Sequence, residues 1–109
     1  MTWTPRYLPE ADDDLAKLDH SQRLIVRKAI DKVLQNPLPN TEGGYGKPLG
    51  SLKDTDLAGC CKIKLKNAGL RIVYKLIRTD KDMLIIVIGA RADSAVYNLA
   101  QQRIEKYDL

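Results

Sequence analysis

The chain of 109 residues contains no run of about 18 apolar residues, so no part of it is expected to span a membrane. Its first residues, Met-Thr-Trp-Thr-Pro-Arg, lack the apolar stretch of a secretory leader, and a cytoplasmic location is the expectation. Cysteine occurs only at the neighbouring positions Cys60 and Cys61. On an extended strand such neighbours point to opposite faces, and two thiols alone make no zinc site; buried thiols are the expectation. Histidine occurs once, as His20, at a junction between helical stretches. No repeat, low-complexity tract or linker divides the chain, so 1–109 reads as one domain with a modest core. The most telling scarcity is of acids. From Cys60 to Arg78 there are six Lys or Arg and no Asp or Glu. Residues 1–59 carry eight Lys/Arg against nine Asp/Glu, whereas residues 60–109 carry ten against five. Such an asymmetry points to a polyanionic partner for the second half.

What is present reads as α+β. Residues 2–8 suit a short edge strand, since they include Trp3 and Pro5. Pro9 fits the first turn of a helix, with Glu10, Asp12, Asp13 and Asp14 near its positive end and Ala11, Leu15 and Leu18 on one stripe. Asp19 or Ser21 can cap a second helix whose inner face is Val26, Ile30, Val33 and Leu34, widened by Ile25 and Ala29. Asn36 before Pro37 ends it. Residues 37–59 read as a long loop. Three strands follow. Residues 60–65 alternate, the Asn67-Ala68-Gly69 turn leads into a second alternating run over 70–77, and 83–88 is apolar throughout, as befits a central strand. Asp93 or Ser94 caps a closing helix with Val96, Leu99, Ala100 and Ile104 inward. The expected order is β-α-α-β-β-β-α, an antiparallel sheet with helices packed on one face.

The hairpin register is partly forced, because a slip of one residue turns every side chain over. Pairing Leu65 with Leu70 sets Lys64 opposite Arg71 and Lys62 opposite Val73. Like charges facing each other destabilise a hairpin by up to about 1 kcal/mol, so such a pair suits an anionic partner. A solvated face that resists aggregation is the plainer reading of the same charges. Arg91 follows the third strand, and Tyr97 lies in the early turns of the last helix. An Arg can fork onto a phosphate; a Tyr can stack on a base or bond a ribose hydroxyl.

The run Cys-Lys-Ile-Lys-Leu-Lys-Asn-Ala-Gly-Leu-Arg-Ile-Val-Tyr, followed by Val-Ile-Gly-Ala-Arg-Ala-Asp-Ser-Ala-Val-Tyr, resembles the RelE branch of the RelE/ParE toxin superfamily. The likeness is dense over 59–104. It implies the RelE-like microbial RNase fold and a type II toxin that enters the ribosomal A site, cuts mRNA there and is masked by a cognate antitoxin, through which alone it would reach operator DNA. The family's catalytic positions fall on Lys62, Lys64, Arg71, Arg91 and Tyr97, each with its residue type kept. Ala90 and Asp93 depart, standing where some relatives carry Lys and Arg. The loop 41–59 is longer than in compact members.

No Glu/His pair or metal-ligand cluster lies on the basic stretch, and no cofactor is expected. RNA supplies its own nucleophile, the ribose 2′-OH. The reading therefore assigns Arg71 and Arg91 to the scissile phosphate, Lys64 to protonating the leaving 5′-oxygen, and Lys62 and Tyr97 to the 2′-OH, with Tyr97 also stacking on a base. The products would be a 2′,3′-cyclic phosphate and a 5′-OH, formed without metal. Two other readings stay open: a ParE-like toxin that poisons DNA gyrase without nuclease chemistry, and an inert RNA-binding homologue.

Overall fold

The computed structural model describes residues 2–52, 55–90 and 93–109. Strand β1 (Thr4–Tyr7) leads through Leu8 into helix α1 (Pro9–Ala16). Pro9 occupies the first turn, where an amide donor would have no partner, and Glu10 and Asp12 sit at the positive helix end. Helix α2 (His20–Leu34) starts on a reciprocal cap. The Asp19 carboxylate accepts from Gln22 N at 2.8 Å, and the Gln22 side chain accepts from Asp19 N. Ser21, the other candidate, donates its hydroxyl to Asp19 instead. Ala11, Leu15, Val26, Ile30 and Val33 are buried. Ile25, expected on the inner face, is 42% exposed. It lies about 100° round the helix from Val26, and the buried stripe is narrower than the apolar pattern suggested.

After α2 the chain forms strand β2 (Lys47–Pro48) and a small hairpin of β3 (Ser51–Leu52) and β4 (Thr55–Asp56). Strands β5 (Cys60–Leu65), β6 (Leu70–Ile77) and β7 (Asp82–Gly89) and helix α3 (Asp93–Lys106) complete it. The stretch read as loose loop is thus partly built into the sheet. Tyr74 on β6 explains part of this: its hydroxyl donates to the Pro37 carbonyl at 2.8 Å, fully buried. A Cβ at Gly46 would lie 2.4 Å from that hydroxyl, so only glycine lets the loop close over it. Leu57 is completely buried as well.

The five strands run in the order β1-β7-β6-β5-β2. The α+β class and the order of the main elements are as expected, and two departures stand out. First, the sheet is not antiparallel throughout, because β1 runs parallel to β7 (Thr4 beside Asp82, Tyr7 beside Ile85). Parallel neighbours need a long connection, and here nearly the whole chain intervenes, so no local turn signals the pairing. Second, the helices do not share one face. Cross-strand partners put Tyr7, Ile85, Tyr74, Ile72, Cys61 and Ile63 on one side, and the Tyr7 side meets Asp12, Leu15, Arg27 and Ile30 of α1 and α2. Helix α3 comes to the other side. Val96 Cγ2 lies 3.0 Å from where a Cβ of Gly89 would be, and Gly89 is the partner of Arg71. That face also carries Val73 and Val87, both fully buried, which gives α3 an apolar bed. A bulge at Ile86, between the Tyr74–Ile85 and Val73–Val87 pairs, doubles one residue of β7.

Polar contacts fix the far end of α3. Glu10 accepts from Lys106 Nζ (2.8 Å) and Tyr107 Oη (2.7 Å), and these bonds pull its carboxyl from the ordinary 4.5 to about 2. A carboxyl with a depressed pKa stabilises the fold above its ordinary pKa and loses that contribution as pH falls toward 2. Protection factors at the end of α3, corrected for the intrinsic exchange rate, are therefore expected to fall between pH 4.5 and about 2, and Glu10→Gln to remove that dependence. The same pH response in the variant would show that Glu10 is not its source. Among the described residues no helix is long and apolar enough to cross a membrane.

Candidate active site

The register of β5 on β6 is the expected one. Leu65 faces Leu70, Lys64 faces Arg71 and Lys62 faces Val73. A 3-10 turn over Lys66–Ala68 closes the hairpin, and Gly69 takes φ +67°, a left-handed conformation that glycine adopts without strain. On the other side of β5, Lys47 of β2 faces Lys62. Lys47, Lys62, Lys64 and Arg71 therefore share one face across three strands. Lys47 is exposed, and Lys62, Lys64 and Arg71 are half-buried.

The uneven cover of this face shapes the site. Helix α3 starts over Gly89, beside Arg71, and the chain ends beside Lys75, whose Nζ donates to the Leu109 carbonyl. It thus lies over β7 and β6, and beside it Lys62 and Lys64 of β5 stay partly exposed and Lys47 of β2 exposed, forming a basic shelf, while Cys60 at the start of β5 is buried. Cations crowd that shelf. Arg71 first, then partial burial, then Lys62, Lys66 and Lys47 hold the Lys64 ammonium below the usual lysine range. At the hairpin end, Lys64, Leu65, Lys66, Asn67, Ala68 and Ile25 line an open cavity of about 640 Å³.

Of the five residues expected at the site, the register puts Lys62, Lys64 and Arg71 on the shelf. Tyr97 stands on α3 next to Val96, on the side of the sheet that carries the lysines, and is only 7% exposed within the core. Arg91 lies outside the described residues. Asp93 begins α3, and Ala90 is the exposed residue after β7. His20 is exposed at the start of α2 and takes no part. Cys60 and Cys61 are buried thiols outside any disulfide; burial pushes the Cys61 thiol up despite its hydrogen bond with Tyr74. Sequence reasoning missed Lys47. A strand of two residues has no period to detect, and only its pairing with Lys62 reveals which way it faces.

Comparison with known proteins places this arrangement. Residues 6–95 match the family model of the ParE toxin of the type II toxin–antitoxin system, parDE. A RelE-like toxin protein of Escherichia coli is 30% identical over 105 residues, covering 95% of this chain and 99% of its own. The mRNA interferase toxin RelE of Escherichia coli K12 is 32% identical over 88 residues, covering 81% and 82%. The solved structure of an E. coli RelE variant in the free state superposes with a TM-score of 0.75 at 28% identity, covering 95% and 99%. The same variant bound to an antitoxin RelB peptide gives 0.69 at 26%, covering 92% and 95%. With its family model matched over most of its length and relatives that carry the RelE name, the chain belongs to the RelE/ParE superfamily of type II toxins, in its RelE-like branch.

Proposed function

We propose that this chain is a ribosome-dependent mRNA endonuclease, silenced by a cognate antitoxin. The Lys64–Arg71 pair on the basic shelf, with Lys62 beside it, is the observation that carries the reading. Two cations held face to face on one side of the hairpin fit a site that receives a phosphate. The relative named above as an mRNA interferase toxin, and the relative solved with an antitoxin peptide, give the reading its substrate and its partner.

The chemistry follows from the residue types. The 2′-OH attacks the adjacent phosphorus, a P–O2′ bond forms, and the P–O5′ bond breaks. Arg71 and Arg91 neutralise the charge on the phosphorane oxygens. Lys64 gives a proton to the departing 5′-oxygen, and its lowered pKa makes that transfer easier near neutral pH. The Tyr97 hydroxyl orients the 2′-OH, and its one proton passes to the Lys62 amine. A ring only 7% exposed presents little face to a base, so for Tyr97 the hydroxyl is the more useful part. The products are a 2′,3′-cyclic phosphate and a 5′-OH. No metal enters these steps. The ribosome supplies the in-line bend of the message that the shelf alone does not impose.

The test is to induce the wild type and Arg71→Ala, map message ends, and assay gyrase supercoiling in parallel. Codon-positioned cuts with 5′-OH ends, lost in the variant, are the expected result. Ends bearing 5′-phosphate, or cleavage that needs magnesium, would overturn the mechanism. The family model carries the ParE name, so blocked supercoiling without cuts would favour gyrase poisoning instead. Neither effect would point to an inert homologue.

The crowding of Lys64 makes a separate prediction. A general acid must be protonated, so cleavage falls as pH rises through the lowered Lys64 pKa. Arg71→Gln removes the largest cause of that lowering, and the fall is expected to move to higher pH while the maximal rate drops. An unmoved alkaline limb would separate Lys64 from proton transfer.

A further inference from the structure

Lys47 has no role in the steps above, yet it occupies a defined place beside them. It faces Lys62 across β2 and β5, and Lys62 stands two residues from Lys64 on the same strand and face. Strand spacing of about 4.8 Å and a two-residue advance of about 6.8 Å put the Lys47 backbone roughly 8 Å diagonally from that of Lys64. That span suits one nucleotide of an extended single strand. The order of roles along it fixes a direction. Lys64 serves the leaving 5′-oxygen on the 3′ side of the scissile phosphate, Lys62 serves the 2′-OH on its 5′ side, and Lys47 comes next.

We propose that Lys47 binds the phosphate immediately 5′ to the cleaved nucleotide, so that the message crosses the shelf with its 5′ side toward β2. This rests on the nuclease reading and adds to it a strand polarity and a further RNA contact. Lys47 is exposed, so its long side chain can reach a phosphate without leaving the face. Lys47 is also the smallest of the neighbouring charges that lower the Lys64 ammonium, as expected for a cation one diagonal away.

The test uses a single-stranded RNA oligonucleotide with a 2′-deoxy sugar at the mapped cleavage position, which binds without being cut. A second oligonucleotide carries a neutral methylphosphonate at the phosphate 5′ to that sugar. Binding is measured by fluorescence anisotropy against salt for the wild type, Lys47→Gln and a charge-matched control, Lys17→Gln. Lys47→Gln is expected to weaken binding about fivefold at low salt and to flatten the slope of log affinity against log salt by about 0.7. The methylphosphonate should weaken the wild type by a similar factor and leave Lys47→Gln unchanged, and Lys17→Gln should behave as the wild type. Equal losses in both proteins, or a Lys47→Gln variant with wild-type affinity and slope, would overturn the assignment. A wild type that binds the RNA as expected but cuts no message on programmed ribosomes would refute the nuclease reading and leave the phosphate contact standing. A wild type that binds no RNA off the ribosome would overturn the phosphate contact, whereas the nuclease reading stands or falls on cleavage of programmed ribosomes.

Discussion

Lys64→Ala is expected to slow cleavage of message on programmed ribosomes by about 10²–10⁴-fold, the range that a positioned general acid supplies. Lys64→Arg is expected to fare little better. A guanidinium keeps the charge beside Arg71, but it does not give up a proton near neutral pH. The pair of variants thus separates charge from proton transfer. If Lys64→Arg cleaves at close to the wild-type rate, Lys64 is an electrostatic residue and some other group protonates the leaving oxygen. A substrate with sulfur in place of the departing 5′-oxygen offers a second check. Thiolate leaves without a proton, so this substrate should restore most of the rate lost in Lys64→Ala. It should do little for Arg71→Ala, whose defect lies in the charge on the phosphorane. Both positions are half-buried rather than in the core, so the variants are expected to fold.

The largest stability effect is expected at Arg103. Helix α1 begins just after β1 ends, which leaves part of the β7 edge unpaired by the sheet. Asp14 and Arg103 occupy it together. Arg103 donates to Asp14 Oδ2 at 2.6 Å, to Asp14 Oδ1 at 3.2 Å and to the Ile86 carbonyl at 2.9 Å, while Asp14 Oδ2 accepts from Ile88 N at 3.1 Å. Their side chains are only 11% and 13% exposed. Removing Arg103 leaves the Ile86 carbonyl without its side-chain donor and the Asp14 carboxylate with the Ile88 amide alone, in a place that water barely reaches. Arg103→Ala is expected to cost about 3 kcal/mol and to lower Tm by more than ~10 °C. Asp14→Asn still accepts from Ile88 N, so combining it with Arg103→Gln should cost clearly less than the sum of the two single changes. A loss under about 0.5 kcal/mol in Arg103→Ala would mean that the pair contributes no more than an exposed ion pair does. The Arg78–Glu42 bridge is the contrast. Its geometry is good, at 2.7 Å, but with side chains 55% and 44% exposed it is expected to contribute little.

The hairpin shows how far the chain's own pattern reaches. Alternation in 60–65 and 70–77, with Gly69 between them, is enough to set Lys64 against Arg71, because any other register would expose Ile63 and Ile72 to water. The acid-free run from Cys60 to Arg78 likewise marks the shelf without coordinates. The capping box at Asp19 and the proline at the start of α1 are legible because they are local, made by residues within three positions of each other. What the pattern could not convey is which element covers which face. The stripe of α3 says that Val96 and Ala100 are buried, but not that they lie on the lysine side. That is settled by Gly89, whose missing side chain admits Val96, and by the Arg103 bonds that hold the helix to the β7 edge.

The sequence by itself determined the α+β class, the hairpin register, the basic face and the family, since each depends on short-range periodicity, turn chemistry or the charge of neighbouring residues. Only the tertiary structure decided that β1 joins the sheet parallel to β7, that α3 packs on the lysine side over Gly89, and that Lys47 stands beside Lys62. Those outcomes depend on contacts between residues far apart in the chain. Such contacts are chosen by how apolar surfaces fit together in the whole molecule, a quantity no local pattern contains.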